Sequence, residues 1–173
     1  EKVIEIWNNV FMEYESKDGK VIGKLSQKNV DTGMGLERIT AVVNGKESVY
    51  QTDLFEYLFD QIPNAEEKSK RIISDHIRAS CFLITDGVIP GNTDRAYILR
   101  RLLRSAIRHA KKSGLDSVAS LIDSVCEKYK GVYDLNSESI KPVIEAEEKK
   151  FLNTLDKGLK EFEKGERDAF LLF

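Results

Sequence analysis

Residues 31–39 read Asp31-Thr-Gly-Met-Gly-Leu-Glu-Arg-Ile39, and the rest of the chain is organised around this stretch. It follows a strand-like segment ending at Val30 and opens a helical pattern carried by Leu36, Ile39, Thr40 and Val43. Two glycines directly before a helix give the backbone torsions and clearance that a side chain would block. The helix start behind them offers unpaired N–H groups and the positive end of the helix dipole, both suited to an anion. Arg38 falls in the first helical turn, where a planar guanidinium reaches phosphate oxygens or stacks on a flat ring. Gly-x-Gly alone is also a common tight turn. On that plain reading Asp31 is an N-cap and Glu37–Arg38 a solvated pair.

On the N-terminal side, residues 3–13 are rich in β-branched and aromatic types and read as a strand, with Trp7 as a packing residue. Residues 21–30 read as a second strand, and Lys17-Asp18-Gly19-Lys20 between them carries the Asp-Gly signal of a tight hairpin. Two strands are marginal alone in water, so the pair is expected to belong to a larger sheet with strands preceding residue 1. The start at Glu1 and the apolar end Ala169-Phe-Leu-Leu-Phe173 read likewise as the ends of a piece of something longer.

On the C-terminal side the pattern is helical. Thr52 or Asp53 is placed to cap a helix through Ile62, stopped by Pro63. From Glu66 to Thr85, Ile73, Ile77, Cys81 and Ile84 recur at helical spacing, with Ile72, His76 and Leu83 on an adjoining stripe. Asp86-Gly87 and Pro90-Gly91-Asn92 break that helix, and Asn92 or Thr93 is placed to cap the next, which Gly114 stops. A further helix is expected from Asp116 to about Lys130, and a last one from about Glu138 to Lys164 with Pro142 in its first turn.

The helix after Asn92 carries the strongest charge pattern. Arg95, Arg100, Arg101, Arg104, Arg108, Lys111 and Lys112 occur with no acid between Arg95 and Lys112, opposite an apolar side of Ile98, Leu99, Leu102, Leu103, Ala106 and Ile107. Like charges four residues apart destabilise a helix, so acids elsewhere in the fold or a polyanion must offset them. The residues leave both readings open. One is ion pairing to the acidic last helix, which holds Glu145, Glu147, Glu148, Asp156, Glu161 and Glu163; the other is a nucleic-acid backbone.

Composition sets the outer bounds. With 173 residues, 41% hydrophobic and 32% charged, the chain has material for a real core. A net charge of −2 gives no argument for nucleic acid by itself, so the distribution decides. No apolar run approaches the roughly 18 residues of a membrane span, and no leader pattern is visible. Cys81 and Cys126 form no metal-binding spacing with each other or with His76 and His109, which favours a reducing, cytoplasmic setting. His76 reads as packed and His109 as a surface or phosphate-contacting residue. No residue reads as a covalent nucleophile.

The whole string Asp31–Ile39 resembles motif 3 of the class II aminoacyl-tRNA synthetases, and specifically of the alanyl-tRNA synthetases. The resemblance extends to Glu5-Ile-Trp-Asn8, Asp75-His-Ile-Arg78, Asp86-Gly-Val88 and Pro90-Gly-Asn-Thr-Asp-Arg-Ala-Tyr-Ile-Leu-Arg-Arg101. It covers most of the chain to about Lys112; the helical remainder is consistent with it without being diagnostic. It implies an internal fragment of α+β, mainly α class: a short antiparallel hairpin at the edge of a catalytic sheet (residues 1–45), then a helical tRNA-recognition domain (residues 46–173).

The resemblance also assigns roles. Asp31 would bind the α-ammonium of alanine, Gly33 would line the pocket for its methyl group, and Asn8 matches a family asparagine at the same site. Arg38 would stack on adenine and touch the terminal phosphate of ATP, which enters with Mg2+, and Gly35 would let the nucleotide approach. Asn92 matches the residue that reads the G·U wobble pair in the acceptor stem of tRNA(Ala), while Arg95, Arg100, Arg101, Arg104 and Arg108 would hold phosphates. A second wobble-reading residue, an aspartate, follows an Ala-Phe string like Ala169–Phe173 and is not in this chain. Motifs 1 and 2 and the zinc-bearing editing domain are absent too. The fragment alone is therefore expected not to activate alanine, because motif 2 supplies the arginine that steadies the transition state. The rivals are a non-catalytic tRNA- or RNA-binding helical module and a helical protein-interaction domain whose ridge meets acidic partners.

Overall fold

The computed structural model describes residues 3–165 and 167. The chain divides into two compact units, Glu1–Leu54 and Phe55–Phe173. The fold is α+β and mainly α.

The first unit is a long antiparallel hairpin followed by a short helix. Strand β1 (Trp7–Lys17) pairs with β2 (Lys20–Met34), from Trp7 opposite Met34 to Lys17 opposite Lys20. The turn falls at Asp18 and Gly19, which have φ of 51° and 75°. Both angles lie in the left-handed region that a two-residue hairpin of the right twist requires, and the Asp-Gly pair supplies it at least cost. Two register shifts, between Met12 and Tyr14 and between Glu15 and Ser16, adjust the ladder toward the tip. Helix α1 (Leu36–Val43) begins directly after the second strand, with Gly35 as its N-cap residue. Both strands are longer than their composition suggested, and β2 runs on through Asp31 and Gly33. Those residues are therefore strand residues rather than members of a loop, and Asp31 caps no helix. Of all the strand residues only Glu13 and Leu25 are even half-buried. Trp7, expected to pack, is 54% exposed.

The second unit is helical and closes around one core. It comprises a single-turn α2 (Glu56–Phe59), α3 (Glu67–Thr85), α4 (Asp94–Lys112), α5 (Ile122–Lys128) and α6 (Ser137–Glu163). Ile73, Ile77, Cys81 and Ile84 all point inward from α3, and Leu99, Leu103, Ala106, Ile107 and Ala110 meet them from α4. Ile140 and Ile144 close the core from α6. Pro142 is the sixth residue of α6, just past the first turn, where its missing N–H leaves out one intrahelical hydrogen bond, and Asn136 caps that helix by accepting from the Glu138 N–H at 2.9 Å.

Two expected helices are shorter than their patterns implied. Residues 52–62 hold only the single turn of α2, preceded by a 3-10 turn at Val49–Gln51. The segment from Asp116 opens as a 3-10 turn, Val118–Leu121, before α5. Its start is fixed by a side chain from far away. The Glu148 carboxylate on α6 is buried and accepts from the Val118 N–H at 3.0 Å and from the Ser117 hydroxyl at 2.5 Å. Among the described residues no helix is long and apolar enough to cross a membrane.

Candidate functional site

In an antiparallel ladder, directly opposed residues share a face, and so do residues two apart on one strand. The register sets Asn8 opposite Gly33 and Val10 opposite Asp31. Asn8, Asp31 and Gly33 are thereby gathered on one side of the hairpin, although Asn8 is separated from the other two by a whole strand of sequence. A side chain at Gly33 would put its Cβ 3.4 Å from the Asn8 amide oxygen, so glycine keeps the space beside that amide clear. Asp31 and Asn8 are both exposed, available to a ligand on that face.

Arg38 lies in the first turn of α1, as its position after Gly35 required. Its guanidinium is anchored rather than free: Nη1 donates to the Glu5 carbonyl oxygen at 2.8 Å. The aliphatic stem lies across Gly35, where a Cβ would meet Arg38 Cδ at 3.5 Å. Glu5 does a second job. Its carboxylate accepts from Asn8 Nδ2 at 3.3 Å. One residue thus ties the amide of Asn8 and the guanidinium of Arg38 to the same point of chain. The sequence contains Glu5 within the Glu-Ile-Trp-Asn string but offers no sign of this role, because Arg38 is 33 residues away.

In the helical unit the cationic ridge of α4 divides into two groups. Arg104 turns inward: Nε lies 2.7 Å from the buried Glu147 carboxylate, and the guanidinium lies 5.3 Å from the centre of the Phe151 ring. Lys111 pairs with Asp156 at 2.7 Å, and Lys112 pairs with Glu66. The pairs of Arg104 and Lys111 reach the acidic last helix, as the plain reading anticipated, whereas Lys112 finds its acid at the N-cap of α3. Arg95, Arg101 and Arg108 remain exposed and have no ion pair among the described residues. Arg101 and Arg108, seven residues apart, stand on the same outward line of the helix with Ser105 between them.

His109, read as a surface or phosphate-contacting residue, is partly covered, with Nδ1 2.9 Å from the Ser69 hydroxyl of α3. Burial holds its pKa below the ordinary value, and the positive charges of Arg108, Lys112 and Lys68 push the same way. His76 is packed as expected and is likewise held low by burial, with Asp75 opposing. Cys81 is fully buried and its thiol is pushed up to about 12, chiefly by that burial. Among the described residues no group of three or more His, Cys, Asp and Glu side chains is placed to hold a metal ion.

Asn92 stands at the entrance of α4. The N-cap position belongs to Thr93, whose side chain makes no capping bond, so Asn92 is not a cap. Its amide oxygen instead accepts from Arg100 Nη1, two turns down the helix. The loop is folded tightly against the helix start. The Gly91 N–H donates to the Ala96 carbonyl at 3.0 Å, and a Cβ on Gly91 would stand 2.8 Å from the Ala96 methyl. Asp94, with φ of 48°, takes up the change of direction. The string Ala169–Phe173 lies outside the described residues.

The chain is similar to known proteins over most of its length. The chain is 44% identical to an alanine–tRNA ligase of Borrelia hermsii over 93% of its own length, covering 30% of that protein. It is 43% identical to one from Fusobacterium nucleatum over 91% of its length, covering 20% of that protein. A third relative, an alanine–tRNA ligase of Pseudoalteromonas translucida, is 42% identical over 92% of the chain. The chain thus spans a third or less of the length of the curated relatives it matches. The family profile described as tRNA synthetases class II (A) matches residues 1–169, from before the Glu5 string to beyond α6. With the Asp31–Ile39 string, the hairpin face and the α4 ridge all inside that match, the chain belongs to the class II (A) tRNA synthetases.

Proposed function

We propose that this chain is part of an alanine–tRNA ligase, to which it contributes one edge of the alanine and ATP site and a docking surface for the acceptor stem of tRNA(Ala). The observation that carries the reading is the register of the hairpin, which gathers Asn8, Asp31 and Gly33 on one face next to a helix whose first turn holds Arg38. A carboxylate, an amide and an open space are what a small amino acid needs: Asp31 for the ammonium, Asn8 for a polar contact, and Gly33 for room beside the methyl group. One methyl group gives only about 1–3 kcal/mol of discrimination, so the pocket alone separates alanine from glycine weakly.

Arg38 supplies a flat cation for adenine and for the terminal phosphate of ATP, whose Mg2+ arrives as part of the substrate. Gly35 leaves the helix start uncovered except by the Arg38 stem. In the helical unit, Arg95, Arg101 and Arg108 hold phosphates, Arg104 supports α4 through Glu147, and Asn92 meets the base pair. The complete reaction is ATP-dependent formation of alanyl-adenylate followed by transfer to the terminal ribose, in the cytoplasm. The covalent steps need residues outside this chain, so ATP–pyrophosphate exchange by the 173 residues alone stays at background.

The test is binding of the chain to an acceptor-stem hairpin carrying G·U or G·C, at two salt concentrations, beside Asn92→Ala. Preferential, salt-sensitive binding of the G·U hairpin that Asn92→Ala abolishes supports the reading. Equal binding of both hairpins reduces the helical unit to a phosphate-docking RNA module. No binding under conditions where circular dichroism shows the helices intact overturns the RNA assignment.

A further inference from the structure

We propose that Arg100 is a positioning residue that holds the Asn92 amide by its oxygen, so that the loop before α4 presents Asn92's N–H donors, and not its carbonyl, to an RNA base. The proposal rests on the reading of Asn92 as the base-contacting residue given above, and it removes Arg100 from the row of phosphate-binding arginines.

Three observations lead to it. Arg100 Nη1 donates to Asn92 Oδ1 across a loop that Gly91 and Ala96 hold against the first turn of the helix. A guanidinium has donors only, so the amide must turn its oxygen inward and its NH2 outward; the reverse orientation would set donor against donor. Arg100 is also half-buried, with its guanidinium 6.0 Å from the centre of the Tyr97 ring, whereas Arg95, Arg101 and Arg108 stand open to solvent. The neighbouring arginines therefore have the exposure that a phosphate contact needs, and Arg100 has a side-chain partner of its own.

The consequence is chemical selectivity. An asparagine free to rotate accepts as readily as it donates and so tolerates either kind of base edge. An asparagine fixed by its oxygen demands an acceptor. In the groove where G·C offers the cytosine amine, a donor, G·U offers the uracil carbonyl, an acceptor. Fixing the amide converts Asn92 from a general polar contact into one that favours the second pair. It also lowers the entropy that binding would otherwise have to remove from the side chain.

The experiment uses the full 173-residue chain and the two hairpins, with Arg100→Met, Arg100→Lys, Asn92→Ala, the Arg100→Met/Asn92→Ala double variant and Arg101→Gln. Arg100→Met is expected to bring the G·U to G·C affinity ratio close to one, and the double variant to lose no further selectivity, because the two residues act as a unit. Arg100→Lys, which keeps a donor, restores part of the ratio. Arg101→Gln is expected to weaken both hairpins equally and to flatten the salt dependence, leaving the ratio unchanged. If Arg100→Met behaves like Arg101→Gln, Arg100 is a phosphate contact and the proposal is wrong. The Asn92 side-chain NH2 resonance in the free chain gives a readout independent of RNA. An ordered amide in the wild type that becomes mobile in Arg100→Met supports the hold, even if neither hairpin is preferred and the base-reading role fails. Equal mobility in both proteins overturns the proposal, whatever the hairpins show.

Discussion

The two units hold their candidate residues by different means. In the hairpin unit Val10, Phe11 and Val30 are 51%, 77% and 58% exposed, and the candidate residues are placed by the backbone ladder and by the hydrogen bonds that Asn8 and Arg38 donate to Glu5. In the helical unit Ile77, Leu99 and Leu103 are wholly buried, and the exposed arginines of α4 are placed by a packed core beneath them. A strand fixes which face a residue takes with no packing at all, because its side chains alternate. A helix fixes the same thing only once its apolar stripe has found a partner. Damage should therefore spread through the helical unit and stay local in the hairpin.

The largest test of that contrast is Leu103→Ala. Removing a fully buried leucine should cost about 2–5 kcal/mol, read as a lowered urea midpoint of the helical circular-dichroism signal. A loss below 1 kcal/mol would show that the helical core is not cooperative. Next comes Arg104→Met, which leaves the buried Glu147 carboxylate without its cation. The guanidinium is itself partly exposed, so the expected cost is about 1–3 kcal/mol, and pairing Arg104→Met with Glu147→Gln should recover part of it. Full additivity of the two substitutions would count against the pair. In the hairpin, Gly19→Ala places a side chain at φ of 75° and should cost about 1 kcal/mol. Faster amide exchange is expected along β1 and β2, with none in α3 or α4.

A smaller effect depends on pH. His76 and His109 are both held below their ordinary value of 6.5, chiefly by burial. The unfolded chain therefore binds their protons more readily than the folded one. Stability should be unaffected above 6.5 and should fall as pH drops through that value toward the lower folded-state titrations. His76→Asn should flatten the dependence of the urea midpoint between pH 5 and 7.5; an unchanged profile would remove His76 from the account. The smallest expected change is Phe11→Ala, within about 0.5 kcal/mol, since that side chain is largely exposed. A loss comparable to Leu103→Ala would erase the distinction between the units.

Much of this was legible in the residues. The Asp18-Gly19 turn, the apolar spacings of α3 and α4 and the late Pro142 helix depend on local torsion and periodicity, which sequence reports directly. The short elements around residues 52–62 and 116–121 were misread as longer helices. There the caps are tertiary: the Val118 N–H is satisfied by Glu148, 30 residues away, and no local pattern signals that. The partner of His109 is hidden from local pattern for a related reason, since Ser69 comes from another helix.

Sequence by itself determined the chemistry available: the Asp31–Ile39 string, an asparagine before a helix, and arginines at helical spacing with no acid among them. These are covalent facts and their periodicities follow from the backbone. Tertiary structure alone decided which groups are committed and which are free. Glu5 joins Asn8 to Arg38, Glu147 takes Arg104 out of the cationic ridge, and Arg100 turns inward to Asn92. Such choices depend on distances between residues far apart in the chain, and those distances exist only after the apolar faces have packed.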